Sequence, residues 1–224
     1  MLDLYTLLVF VHIALFVYWL GPDWGVYLLS PSIWRADRTV PERLESARLM
    51  VRMTQISRNS LILLLPVGLT LAAMSARTDF NNTALLAIWA GSLVWLATSL
   101  VMNAMRGSRV AERLNLIDAM IRWALLFLLV GVGVYALITT NVFHDRWLAA
   151  KITLYGLLIG NSLQQRGIAR QWVSALQQMQ ADPSQKDAAE AVFAKTGRRS
   201  QLNAYFTWGA SLAIAFFGVT KLHF

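Results

Sequence analysis

His12 and Asp23 lie within the apolar stretch "VHIALFVYWLGPDWGVYLLSP", residues 11–31, where ionisable side chains are costly and usually functional if the stretch spans a bilayer. At about 100° per helical residue, Tyr5, Trp19 and Asp23 fall within roughly 20° of the His12 face. The four residues form one polar stripe, and a stripe of this kind faces a bundle interior rather than lipid. Asp23 sits roughly 16 Å further along the helix at ~1.5 Å per residue, so the stripe serves two depths, with Pro22 free to kink the helix between them. An imidazole at His12 has the chemistry of an axial haem or metal ligand, a proton carrier, or a neutral group hydrogen-bonded to a neighbouring helix. Asp23 has the chemistry of an ion-pair partner for Arg52 or Arg58, or of a protonated acid.

Lys151 is the second anomaly, one turn into "RWLAAKITLYGLLIGNSLQQR". Its stem is long enough to snorkel to the interface; the alternative is a cation facing a substrate or cofactor carboxylate beside His12, at a similar depth. Gly156 and Gly160 on the same segment form a small-xxx-small pair suited to helix packing. His144, in the loop "NVFHDR", and the penultimate His223 are expected to be solvated. The chain has no cysteine, which excludes disulfides, iron–sulfur clusters and thiol catalysis. A held metal or haem must therefore use His, carboxylate, Met or Tyr. No P-loop, GxSxG, HExxH or GxGxxG is present.

The elements that must position these residues are transmembrane helices. The chain of 224 residues is 57% hydrophobic and 14% charged, against about 25% charged for soluble domains. Six apolar segments, roughly 4–29, 59–76, 84–105, 119–140, 147–165 and 203–222, are of the order needed to cross a ~30 Å core. Lipid tolerates no open strand, so the class is all-α, a polytopic helical bundle forming a single membrane domain. Sixteen of the 20 Lys and Arg residues fall in or beside the loops after the first, third and fifth segments. The positive-inside rule then places those loops in the cytoplasm and both termini outside, periplasmic for a bacterial inner-membrane protein. "MLDLYTLL" lacks a basic n-region, so the first span is expected to be retained. The net charge of +8 reads as a phospholipid-facing surface rather than a nucleic-acid interface.

Two cytoplasmic loops, about 30–58 and 166–202, are expected to be helical. Thr39 and Glu42 have capping-box spacing, starting a helix that runs into the second span. The fifth span continues through "QQRGIARQWVSALQQMQ" to Asp182-Pro183. A short helix, "SQKDAAEAVFAK", is then expected to stop at Gly197.

A histidine seven residues before a tryptophan, followed by Gly21, Tyr27 and "LLSP", resembles the first span of the HemJ-type protoporphyrinogen oxidases and CopD-type membrane proteins. Trp147-Leu148 with Lys151 is similar to the lysine-bearing span of that group. "RLMVRMTQISRNSLILLLPVGLTL" resembles its second span and "RRSQLNAYFTWGASLAIAFFGVTKLHF" its last. The third and fourth spans would be an insertion into a four-span core, and the family's second histidine is replaced by the Ser30–Ser32 region. The resemblance implies haem b and a redox-linked role, with His12 on the haem iron and Lys151 toward a propionate or substrate anion, and Tyr5 and Trp19 on the same face. The residues alone leave two alternatives open: a permease or metal carrier, or an accessory subunit that meets other membrane subunits or a second copy.

Overall fold

The computed structural model describes residues 3–35 and 37–221. Six long helices and one short one follow in chain order: α1 (Leu4–Leu29), α2 (Pro31–Trp34), α3 (Val40–Met74), α4 (Asn82–Ala104), α5 (Arg109–Thr139), α6 (Arg146–Ala181) and α7 (Lys186–Thr220). Local chemistry sets several starts. Asp3, Asn81 and Ser108 accept the N–H of Thr6, Ala84 and Ala111 through their side chains, which satisfies donors that a helix leaves orphaned. The capping box of Thr39 and Glu42 opens α3, as the sequence suggested. Between α4 and α5 the chain turns at Gly107, whose φ of +87° is a conformation glycine adopts without strain.

Five helical stretches are long and apolar enough to cross a membrane: Leu4–Trp34, Val40–Met74, Asn82–Ala104, Arg109–Thr139 and Pro183–Thr220. Large apolar side chains such as Val219, Ile138 and Leu86 remain exposed on their flanks, the surface a lipid-facing bundle presents. The chain is thus a multi-pass, all-α membrane bundle. The remaining long helix, α6, which holds the expected span 147–165, is not among these five. It runs antiparallel along α5, with Gly133 against Thr153, Gly156 against Leu129 and Val130, and Gly160 against Leu126. A Cβ at Gly156 would lie 3.1 Å from the Val130 backbone nitrogen, so the small-xxx-small pair serves close helix packing.

Hydroxyls from neighbouring helices bond near the two intrahelical prolines. Ser57 of α3 donates to the Trp19 carbonyl (2.8 Å) in the turn before Pro22. Tyr155 of α6 donates to the Leu61 carbonyl (2.5 Å) in the turn before Pro66. Neither carbonyl is the one four residues before its proline, so these bonds tie neighbouring helices together near the prolines rather than replace the N–H a proline lacks.

Beyond the apolar stretches, α2 and the polar halves of α3, α6 and α7 build a second small core around Ile33, Trp172, Leu176 and Phe193. Arg43, 1% exposed, ties α3 to α7 through Glu190 (2.7 Å) and to the Arg35 carbonyl (2.7 Å). This core explains a departure from expectation. Gly197 does not end a helix, and α7 is continuous from Lys186 to Thr220. A glycine stops a helix by adopting a left-handed conformation; Gly197 instead remains helical and packs beside the Trp34 ring. Tertiary packing overrides the local signal.

Candidate functional site

The polar stripe on α1 divides between two places, as its spacing implied. In the half of the bundle nearer the α3–α4 and α5–α6 loops, the His12 imidazole packs onto Gly68 of α3, and a Cβ at Gly68 would meet His12 Cε1 at 3.1 Å. Lys151 lies within electrostatic reach of His12. Its ammonium is 5.6 Å from the Trp147 ring centre and would be 2.8 Å from a Cβ at Gly218 on α7. Four helices thus converge, with glycines on α3 and α7 making space for the two polar side chains.

The hydrogen bonding of this site is incomplete. His12 Nδ1 and Trp147 Nε1 are both buried without a partner, and no carboxylate among the described residues forms an ion pair with Lys151. An indole N–H and an ammonium are donors only, and buried donors ordinarily find acceptors. The arrangement therefore calls for an anionic or carbonyl acceptor beside an imidazole with an unpaired nitrogen. A haem supplies both kinds of complement: iron for an imidazole nitrogen and propionates for the two donors. These donor types are the ones a haem would use, while the His12 Nδ1 itself is packed against Gly68. No cluster of three or more metal-ligating side chains occurs among the described residues.

The other expected site residues lie elsewhere. Tyr5 is 40% exposed on the flank of α1. Trp19, 5% exposed, belongs to the bundle core and lines a separate chamber together with Asp23. Asp23 accepts the Trp208 indole N–H at 3.2 Å, in place of the ion pair expected with Arg52 or Arg58. Trp208 in turn stacks on Trp24, with ring centres 3.8 Å apart. This aromatic pairing joins α1 to α7 and directs the indole at the carboxylate. His144 is exposed and outside the site. It bonds the Ala76 carbonyl (3.0 Å) and Asp79 (3.2 Å), beside the Arg77–Asp145 ion pair (2.9 Å) that clasps the two loops. The Asp79 carboxylate beside it raises the imidazole pKa. His223 lies outside the described residues.

Sequence reasoning missed Asp118. Completely buried on α5, it accepts the Trp95 indole N–H (2.8 Å) and Arg122 Nε (2.9 Å), and it contacts Arg166 of α6. Arg122 also donates to Ser162 (2.6 Å) and lies over the Trp95 ring at 5.2 Å. The signal was present in "LIDAMIRW": a carboxylate and a guanidinium four residues apart share a helix face. These groups back a cavity of about 400 Å³ at the end of the bundle that carries the basic loops. Neither His12 nor Lys151 lines it. Compared with known proteins, this chain matches no family model, no curated protein and no solved structure.

Proposed function

We propose that this integral membrane protein holds a haem b in the His12–Lys151 site and takes part in redox chemistry there. The observation that carries the reading is the unfilled hydrogen bonding: a buried imidazole nitrogen and the buried Trp147 Nε1, both without a partner, beside the half-buried Lys151 ammonium, which has no ion-pair partner among the described residues. The resemblance to HemJ-type and CopD-type proteins, on His12, Trp19, Trp147 and Lys151, supports the same assignment. With one histidine inside the apolar helices, His12 would be the residue that holds the iron, and the haem would supply redox chemistry there. Lys151 and Trp147 would orient the propionates through charge and hydrogen bonding. With the basic loops in the cytoplasm, the site lies in the periplasmic half of a bacterial inner-membrane protein.

A haemin titration of the purified, detergent-solubilised protein tests this reading. A saturable red shift of the Soret band is expected for the wild type. Lys151→Ala should weaken haem binding by about tenfold, the value of one lost charge-assisted contact. Absence of a saturable shift in the wild type would remove haem from the site. A permease is the second reading, favoured by the polar chamber at the basic end of the bundle and by the intrahelical prolines on its α1 and α3 walls. Broken or proline-interrupted helices around a central site are characteristic of transporters.

A further inference from the structure

The chamber at the basic end holds more positive charge than the protein neutralises. Arg58 of α3, Arg106 of the α4–α5 turn, Arg122 of α5, and Arg166 and Arg170 of α6 all line it. They come from distant parts of the sequence, so the fold gathers them. Asp118 accounts for Arg122 and Arg166. Arg166 and Arg170 share one neutral acceptor, Asn115 Oδ1, at 2.8 and 3.1 Å. Arg122 is 1% exposed, yet its Nη2 is buried without a partner. Arg58 makes no hydrogen bond or ion pair among the described residues, and the charges it feels most are those of Arg122, Arg106 and Arg170. Two carboxylates also line the chamber: Asp23, held by Trp208, and the exposed Glu112.

Burying like charges together is unfavourable unless an opposite charge joins them. Guanidiniums are also the groups best shaped to grip phosphate, offering paired N–H donors to its oxygens. We propose that the chamber binds a phosphate-bearing anion, with Arg58 and Arg122 Nη2 as its principal donors and Arg106 and Arg170 at the mouth. Basic pockets between membrane helices at this end are where acidic headgroups dock, and Val26, Leu61 and Leu158 give the same chamber an apolar wall. The phosphate comes either from a phospholipid headgroup or from a water-soluble phosphate compound. The site is separate from His12 and does not depend on the haem assignment.

The test uses the full-length, detergent-purified protein with three probes: dioctanoyl phosphatidylglycerol, dioctanoyl phosphatidylcholine and inorganic phosphate. Affinity is measured by calorimetry or thermophoresis. Phosphatidylglycerol is expected to bind at least about tenfold more tightly than the zwitterionic lipid. Arg58→Gln should weaken that binding by about tenfold, while Arg48→Gln, the same charge change on an exposed residue outside the chamber, should leave it within about twofold. Arg170→Gln, on an exposed residue, provides a second variant with a smaller loss in the same direction. Binding of inorganic phosphate with the same dependence on Arg58 and Arg170, and no preference between the lipids, also upholds the site and assigns its ligand to the soluble class. The proposal is overturned if none of the probes binds, or if the chamber variants bind as tightly as Arg48→Gln.

Discussion

Two groups of buried cations in this bundle have opposite surroundings. At the basic end, Arg122 and Arg166 are met by Asp118, and Trp95 completes that carboxylate's hydrogen bonding. In the other half, Lys151 has an indole ring, a histidine and a glycine around it, and no carboxylate among the described residues in an ion pair. A cation matched by the chain itself is part of the scaffold. One left unmatched in a low-dielectric site is costly, and the proposed haem would supply its counter-charge. The chamber arginines combine both conditions. Asp118 anchors the inner pair, while Arg58 and one arm of Arg122 remain for a ligand.

Removing a scaffold partner should have the largest effect. Asp118→Ala leaves Arg122 buried without its carboxylate and is expected to cost about 3–5 kcal/mol, seen as a lower thermal midpoint and a reduced folded yield in detergent. Asp118→Asn keeps an acceptor and should fall between that variant and the wild type. A wild-type midpoint for Asp118→Ala would break the distinction between scaffold and ligand cations.

Asp23→Ala removes only the acceptor of one indole, so a loss of about 1 kcal/mol is expected. A loss as large as that for Asp118→Ala would mean that Asp23 anchors one of the chamber arginines. In haem-free protein, Lys151→Met should leave the midpoint unchanged or raise it, because it removes an unmatched cation rather than half of a pair. A clear drop would show that Lys151 belongs to the scaffold.

The smallest effect should come from His144. Asp79 raises its folded-state pKa, so its contribution is fully present below the usual histidine range and is lost as pH rises through the raised value. Wild type should show a slight stability advantage over His144→Gln in mildly acidic buffer that disappears in alkaline buffer. A constant difference across that range would assign the effect to the backbone contact with Ala76 alone.

How much of this was legible in the chain depends on the range of the interaction. The first span was readable to the residue, because an apolar run fills it. The extensions of α3 and α6 beyond the apolar segments were also readable, one from a capping box and the other from an uninterrupted helical pattern ending at Asp182-Pro183. Gly197 misled because the helix around it is held by the second core, with Trp34 and Phe193 far apart in sequence. The stripe on α1 correctly placed His12 and Asp23 at different depths. Spacing on one helix could not show that Tyr5 is exposed or that Trp19 belongs with the chamber. The five chamber arginines lie on three helices and a turn, and counting them in loops indicated only which end of the bundle is basic. Their convergence is a property of packing, and only Asp118 and Arg122, four residues apart, left a local trace.

The central claim is that the unpaired nitrogen of His12 awaits an iron. It is tested most directly by the absorption spectrum of the protein purified after expression with ample haem, recorded beside that of His12→Ala. A Soret band is expected in the wild type, and its loss in a variant that is still folded and monodisperse. A wild type without the band, or a His12→Ala protein that keeps it, would contradict the account.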